Sequence, residues 1–216
     1  MESLIQTIAV YAIPVLFGIT LHEAAHGYVA RYFGDPTAHE AGRISLNPTR
    51  HIDPIGTIVV PLFLLISTKL LGGAGLLFGW AKPVPVNWAR LRNPKKHILW
   101  VALAGPASNL FMGILWAIAL RIQVSLGLDP SDFWARMAIA GVQVNLVLMA
   151  LNLVPLPPLD GGRIVYSLLP QTYANHYARL EPYGMLILIV LMFTGVLWVI
   201  LQPFLLFGQT IIRLFL

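Results

Sequence analysis

The sequence predicts an all-α, polytopic membrane protein, and three observations lead there. Hydrophobic residues make up 57% of the 216 positions, charged residues only 11%, and the mean hydropathy is +0.76. Soluble domains carry about 25% charged residues. These proportions exclude an ordinary soluble enzyme, a disordered chain and a nucleic-acid binder. The net charge of +5 then reads as basic residues flanking membrane spans rather than as a polyanion site. Second, the apolar residues gather into long runs. Third, no polar stretch is long enough for an appended soluble domain, so residues 1–216 read as one intramembrane domain.

The elements follow in order. Residues 4–33 form one long helix, stopped by Gly34-Asp35-Pro36. Residues 1–30 contain no Lys or Arg, so this run is expected to be a mature span and not a secretory leader. Residues 55–71 are an apolar run of 17, at the lower length limit for a span, ending in Gly72-Gly73. In residues 81–96, Pro83 and Pro85 alternate with Val84 and Val86. Proline removes backbone donors, so this stretch suits an extended edge or a short re-entrant β-hairpin rather than a helix. Residues 97–123 and 133–154 are the third and fourth runs, the latter ending at Pro155, Pro157 and Pro158. Residues 183–201 are the fifth, and Pro203 separates them from an apolar tail. About five transmembrane or re-entrant helices result.

The chain has no cysteine, so thiol chemistry is excluded and any metal must be held by His, Asp or Glu. Inside the first apolar run lies His22-Glu23-Ala24-Ala25-His26. At i and i+4 both imidazoles share one helix face and can bind one Zn²⁺, with Glu23 placed to take a proton from a water activated there. A bilayer raises the stakes, because ionisable groups at a helix centre cost about 2.5–3.5 kcal/mol on insertion scales and are functional by default. The bland alternative is a polar cluster that stabilises helix packing. A catalytic zinc usually takes three protein ligands. After the fourth run, three prolines and then Gly161-Gly162 open the helix and leave Asp160 on irregular backbone. Beside the His pair, Asp160 reads as the third ligand. A surface turn or a helix N-cap is the alternative.

Membrane geometry tests this grouping. His22 lies roughly 28 Å along its helix, near the far side of a core about 30 Å thick. Asp160 sits at the downstream end of its own run, so the two helices must run the same way. An even number of crossings then separates them, and residues 55–71 must re-enter or cross and return. The arrangement puts Arg31, Arg43, Arg50, Lys82, Arg90, Arg92, Lys95, Lys96, Arg163 and Arg179 on one side. Arg121 and Arg136 lie on the other, beside Asp129 and Asp132. By the positive-inside rule the metal end faces the cytoplasm.

Taken together, His22-Glu23-x-x-His26, Gly105-Pro106-Ala107-Ser108-Asn109 and Asn152…Pro155…Leu159-Asp160-Gly161 resemble the site-2 proteases, the intramembrane zinc metalloproteases. The motifs stand in the family's order over about 140 residues. Residues 43–54 and 79–87 resemble its short members, and no stretch matches the PDZ or CBS domains of larger relatives. The resemblance implies that His22, His26 and Asp160 bind Zn²⁺, that Glu23 is the catalytic base, and that Asn109 and Asn152 lie near the substrate. Either amide is then a candidate donor to the anion that develops on the scissile carbonyl. Both also have a plainer reading as hydrogen-bonding glue between helices.

The expected function is zinc-dependent endopeptidase cleavage of transmembrane segments in other membrane proteins, in a prokaryotic inner membrane. The substrate helix must unwind locally, and residues 80–86 could pair with it by edge addition. The competing function is a transporter or channel that uses the His, Glu and Asp cluster as a proton or ion relay. His51, His39, His97 and His176 read as loop or interfacial residues, and the tryptophans include aromatic-belt anchors.

Overall fold

The computed structural model describes residues 4–60, 63, 81–129 and 131–216. Among them every regular element is helical. Helix α1 runs Leu4–Tyr32 and carries Pro14 within it. After the short α2, Thr37–Glu40, the chain makes a 3₁₀ turn at Pro48–Arg50 and a π-helical turn at Pro54–Val59. Each turn has an Asx cap: Asn47 Oδ1 accepts from Thr49 N, and Asp53 Oδ1 accepts from Ile55 and Gly56 N. Residues 81–87 are extended but pair with no strand among the described residues. A 3₁₀ turn at Trp88–Arg90 leads into α3, Pro94–Ser125, which opens on Asn93 as cap and proline at its first position.

Then come α4, Phe133–Asn152, α5, Asp160–Leu168, α6, Gln171–Ala178, α7, Glu181–Phe193, and α8, Val196–Ile212. Among the described residues, three helices are long and apolar enough to cross a membrane: Ile5–Tyr32, Pro94–Ser125 and Phe133–Asn152. The fifth apolar run, 183–201, is not one straight helix; it is part of a bent pair, a broken span or a re-entrant loop. The two helices, α7 and α8, are bent by 92°. The break falls at Gly195, whose φ of +75° is a left-handed conformation that glycine adopts without strain. A hydropathy window sees only the apolar composition on both sides of that glycine. Whether residues 55–71 span or re-enter lies largely outside the described residues. The hairpin expected in residues 81–96 is not formed among the described residues, where 81–87 are extended without a partner strand and a 3₁₀ turn and α3 follow.

Contacts fix the helix directions. From α1 to α3, Ala30 packs with Ile98 and Val101, His26 meets Val101, and His22 and Gly18 meet Asn109. The numbers fall on one helix as they rise on the other, so the two are antiparallel. Between α3 and α4, Asn109 meets Asn145 while Gly141 faces Trp116, which is antiparallel again. Hence α1 and α4 run the same way. The Arg92 amide donates to the Phe33 carbonyl at 3.0 Å, so the connection from α1 to α3 starts and ends on one face of the bundle. That is the geometry an even number of crossings requires.

The main core sits between α3, α4, α7 and α8, where Ala117, Leu146, Met149, Leu188, Leu201 and Leu205 are buried together. A smaller cluster of Ala30, Leu91, Ile98 and Val101 closes the end where α1 stops and α3 begins, with Val86, Trp88 and Tyr166 packed against it. The candidate site lies beside this second cluster.

Candidate metal centre

Two imidazoles on one face of α1 meet one carboxylate from α5. The His22 and His26 rings stand edge to face with centroids 4.7 Å apart. Their Nε2 atoms are 3.1 Å apart, and Asp160 Oδ2 lies 3.2 Å from the first and 3.3 Å from the second. Asp160 is not on irregular backbone as the prolines suggested. It is the first residue of α5, with Leu159 as the cap. The unpaired amides of a helix N-terminus favour an anion there, and residues 153–159 form the turn that brings α5 back against α3.

The donor set can be read from what the other ring nitrogens do. His22 Nδ1 is 2.7 Å from Asn109 Oδ1, and His26 Nδ1 is 2.7 Å from the Val101 carbonyl oxygen. Asn109 Nδ2 donates to the Gly18 carbonyl and to Asn145 Oδ1, both at 3.1 Å, which turns Oδ1 toward His22. Neither oxygen can donate, so each Nδ1 carries the hydrogen and each neutral ring presents a bare Nε2 lone pair. With both rings in that neutral form, three lone-pair atoms converge, and Asp160 Oδ2 is buried with no polar partner other than those rings. Such a trio repels itself unless a cation sits in its midst. Ligands about 2.0–2.1 Å from a tetrahedral zinc are about 3.3 Å from one another, the separation found here. His22, His26 and Asp160 therefore fit a zinc ion.

Close helix approach makes the cluster. A Cβ on Gly105 would lie 2.5 Å from both His22 Cε1 and His26 Nε2, so only glycine lets α3 cross directly over the imidazole pair. Behind it, Asn145 Nδ2 donates to the Gly141 carbonyl at 2.8 Å, and Asn109 and Asn145 are both wholly buried.

A cavity of about 320 Å³ opens in front of the cluster, lined by the three candidate ligands with Glu23, Val84, Trp88, Asn152 and Arg163 among others. Glu23 Oε2 accepts the Val84 N–H at 2.7 Å. Asn152 is on the cavity wall, its Nδ2 donating to the Leu148 carbonyl of its own helix. Asn109 is not on that wall. It backs His22 from the opposite side. The Arg163 guanidinium lies 5.5 Å from the Trp88 ring and pairs with Glu181. His51 stands apart, with Nε2 2.9 Å from the Ser45 carbonyl oxygen in a loop-holding contact.

The sequence reading missed Asn145, Trp88 and Arg163, and it took residues 80–86 as a possible substrate edge without foreseeing the Val84 contact to Glu23. Asn145 carried a usable signal, since it is an amide inside an apolar run, where polar groups are costly. Val84 could not be found from residue chemistry, because it contributes only its backbone N–H.

A candidate metal-binding cluster on helices long and apolar enough to cross a membrane, with an acidic group beside it, fits a membrane metalloprotease. The comparisons agree. The model for Peptidase family M50 matches residues 127–195. The chain is 36% identical over 208 residues to the candidate zinc metalloprotease YwhC of Bacillus subtilis, covering 94% of this chain and 89% of that one. It is 33% identical to the candidate zinc metalloprotease Rip2 of Mycolicibacterium smegmatis, over 84% of this chain and 66% of the relative. For Rip2 of Mycobacterium tuberculosis the identity is 30%, over 78% and 54%. No solved structure matches the chain significantly. This chain belongs to the site-2 protease family, peptidase family M50, and is a multi-pass membrane zinc metalloendopeptidase.

Proposed function

We propose that this chain is a single intramembrane protease domain that cuts transmembrane segments of other membrane proteins, with His22, His26 and Asp160 as zinc ligands and Glu23 as general base. The observation that carries this reading is the shared cavity: the three lone-pair donors and the Glu23 carboxylate face the same space. When bound, zinc supplies Lewis acidity, which makes water a nucleophile at neutral pH and polarises a peptide carbonyl.

This chain's own residues do the rest. Glu23 accepts the proton of the attacking water and returns it to the departing nitrogen. Asn109 and the Val101 carbonyl hold the two imidazoles in the tautomer that bares Nε2. Asn109 is spent on that task, so Asn152, on the cavity wall, is the amide left to donate to the developing oxyanion. Residues 81–87 offer an extended edge to a substrate segment that has unwound. The compact form and the bacterial relatives favour a prokaryotic inner membrane, and the grouping of basic residues favours this end facing the cytoplasm.

Glu23→Gln tests the assignment. Glutamine keeps an oxygen for the Val84 N–H but cannot accept a proton. Cleavage of a single-span substrate should fall by roughly 10²–10⁴-fold, while purified protein keeps its full zinc content. Undiminished cleavage removes Glu23 from the mechanism. Loss of zinc together with activity recasts it as a structural residue.

A further inference from the structure

We infer that Asp35 is a positioning residue: it sets the register of the extended strap over the candidate site, and through the strap the orientation of Glu23. The inference rests on the reading of Glu23 as the base.

Residues 81–88 cross the cavity mouth, and Val84, Val86 and Trp88 line it. Pro83 and Pro85 lack an N–H, so Val84 supplies the one amide hydrogen between them, and it points at Glu23 Oε2. Three residues on, the Asn87 N–H donates to Asp35 Oδ2 at 2.6 Å. The start of the strap is tied by Arg43, which donates to the Lys82 and Pro83 carbonyls, and by the Lys82 N–H, which donates to the His51 carbonyl. Beyond Pro83 it is held by two carboxylates, one on α1 and one just past its end. Asp35 is wholly buried, and its other oxygen is occupied by the Thr37 N–H at 3.1 Å and by the Thr37 hydroxyl. Its own N–H is tied to the Ala30 carbonyl at 2.9 Å. The carboxylate therefore has no freedom to follow a moving strap. Asn87, fixed in turn, caps the next turn by accepting from Ala89 N at 3.1 Å, which aims Trp88 at Arg163 across the mouth.

A charged acceptor with both oxygens in use is sensitive to a single atom. In Asp35→Asn one oxygen becomes an NH₂, so either the Thr37 or the Asn87 donor faces another donor. Release of the strap would loosen its hold on Glu23 and on an entering substrate segment. The metal ligands, which Asp35 does not touch, would be unaffected.

The native chain has no cysteine, so one introduced thiol reports one position. Val84 is only 7% exposed, and a Val84→Cys reporter should alkylate slowly with N-ethylmaleimide. Adding Asp35→Asn should speed alkylation roughly tenfold or more, the scale of one charge-assisted hydrogen bond. An Ala138→Cys reporter in the bundle core should not change. Thr37→Val, which spares the Asn87 bond, should leave the Val84 reporter slow. Asn87→Pro removes the donor from the strap side and should reproduce the fast rate should Asp35→Asn fold poorly. With the native residue at position 84, Asp35→Asn should lower kcat through Glu23 as well as raise KM for a single-span model peptide, with zinc affinity unchanged against a chromophoric chelator.

An unchanged alkylation rate in both Asp35→Asn and Asn87→Pro overturns the inference. So does a parallel rise at the two reporters, which marks global loosening, or a loss of zinc. The alkylation arm needs no proteolysis, so a parent protein that cuts nothing would sink the proposed function while leaving the strap measurement interpretable.

Discussion

Asn109 shows how much a single amide decides. Its Oδ1 faces His22 Nδ1, and its Nδ2 bridges the Gly18 carbonyl and Asn145, so one side chain joins α1, α3 and α4 at the depth of the metal ligands. Replacing it with leucine keeps the bulk but strips His22 of the acceptor that fixes its tautomer. Outer-shell losses of this kind cost about 10–100-fold in metal affinity, and Asn109→Leu should weaken zinc binding by that factor in a chelator competition. Unaltered affinity would show that His22 orients itself. The family resemblance implied Asn109 near the substrate, with hydrogen-bonding glue between helices as the alternative. Its contacts to His22, Gly18 and Asn145 match the alternative, and a motif locates a residue along a helix but not which side of an imidazole it occupies. The four residues of the candidate cluster were legible for the opposite reason. An i, i+4 His pair has one possible partner face, and an aspartate after a proline-broken helix has few places to go.

At the scale of elements, the long helices announced themselves. The apolar runs at 4–33, 97–123 and 133–154 became helices Leu4–Tyr32, Pro94–Ser125 and Phe133–Asn152, since hydrocarbon leaves the backbone no other partner than itself. Breaks were harder to see. The stretch from α7 to α8 is apolar throughout, yet Thr194 Oγ1 bonds back to the Val190 carbonyl at 2.8 Å and Gly195 turns the chain left-handed. Gly195→Val forces a β-branched residue into that conformation, at a cost of about 1–3 kcal/mol. It should lower thermal stability in detergent while leaving zinc content intact. A stability equal to the parent's would mean that the bend is made elsewhere. Asp160 was the other misjudged backbone: three prolines suggested an open loop, but they end at 158, and nothing prevents a new helix from starting two residues later.

For the whole molecule, direction is the decisive property. The contacts make α1 and α4 parallel and α3 opposite to both, so the candidate ligands gather at one end and the loop at 126–132 lies at the other. Most of the basic residues belong to the metal end. Single-cysteine labelling in this thiol-free chain provides the check. With the proposed orientation, Ser131→Cys should react with a membrane-impermeant maleimide in intact cells. Arg92→Cys should react only after permeabilisation. The reverse pattern would invert the orientation while sparing the site. The even-crossing rule was recoverable from sequence because it needs only two endpoints and a count. The strap's extended course was foreseen from Pro83 and Pro85, but its hold on the bundle was not, because that hold is made largely by backbone amides that carry no signature in the alphabet of side chains.

The two imidazoles are anchored in unequal ways, and this bears on how such a chain ages under mutation. His22 leans on the side chain of Asn109, which one nucleotide change can delete. His26 leans on the main-chain oxygen of Val101, which every amino acid possesses. Drift can therefore exchange position 101 among apolar residues that fit its buried setting, while position 109 stays under purifying selection for as long as the ion is needed. A lineage abandoning catalysis would be expected to lose its amide first and to keep the other imidazole's support long after the enzyme had fallen silent.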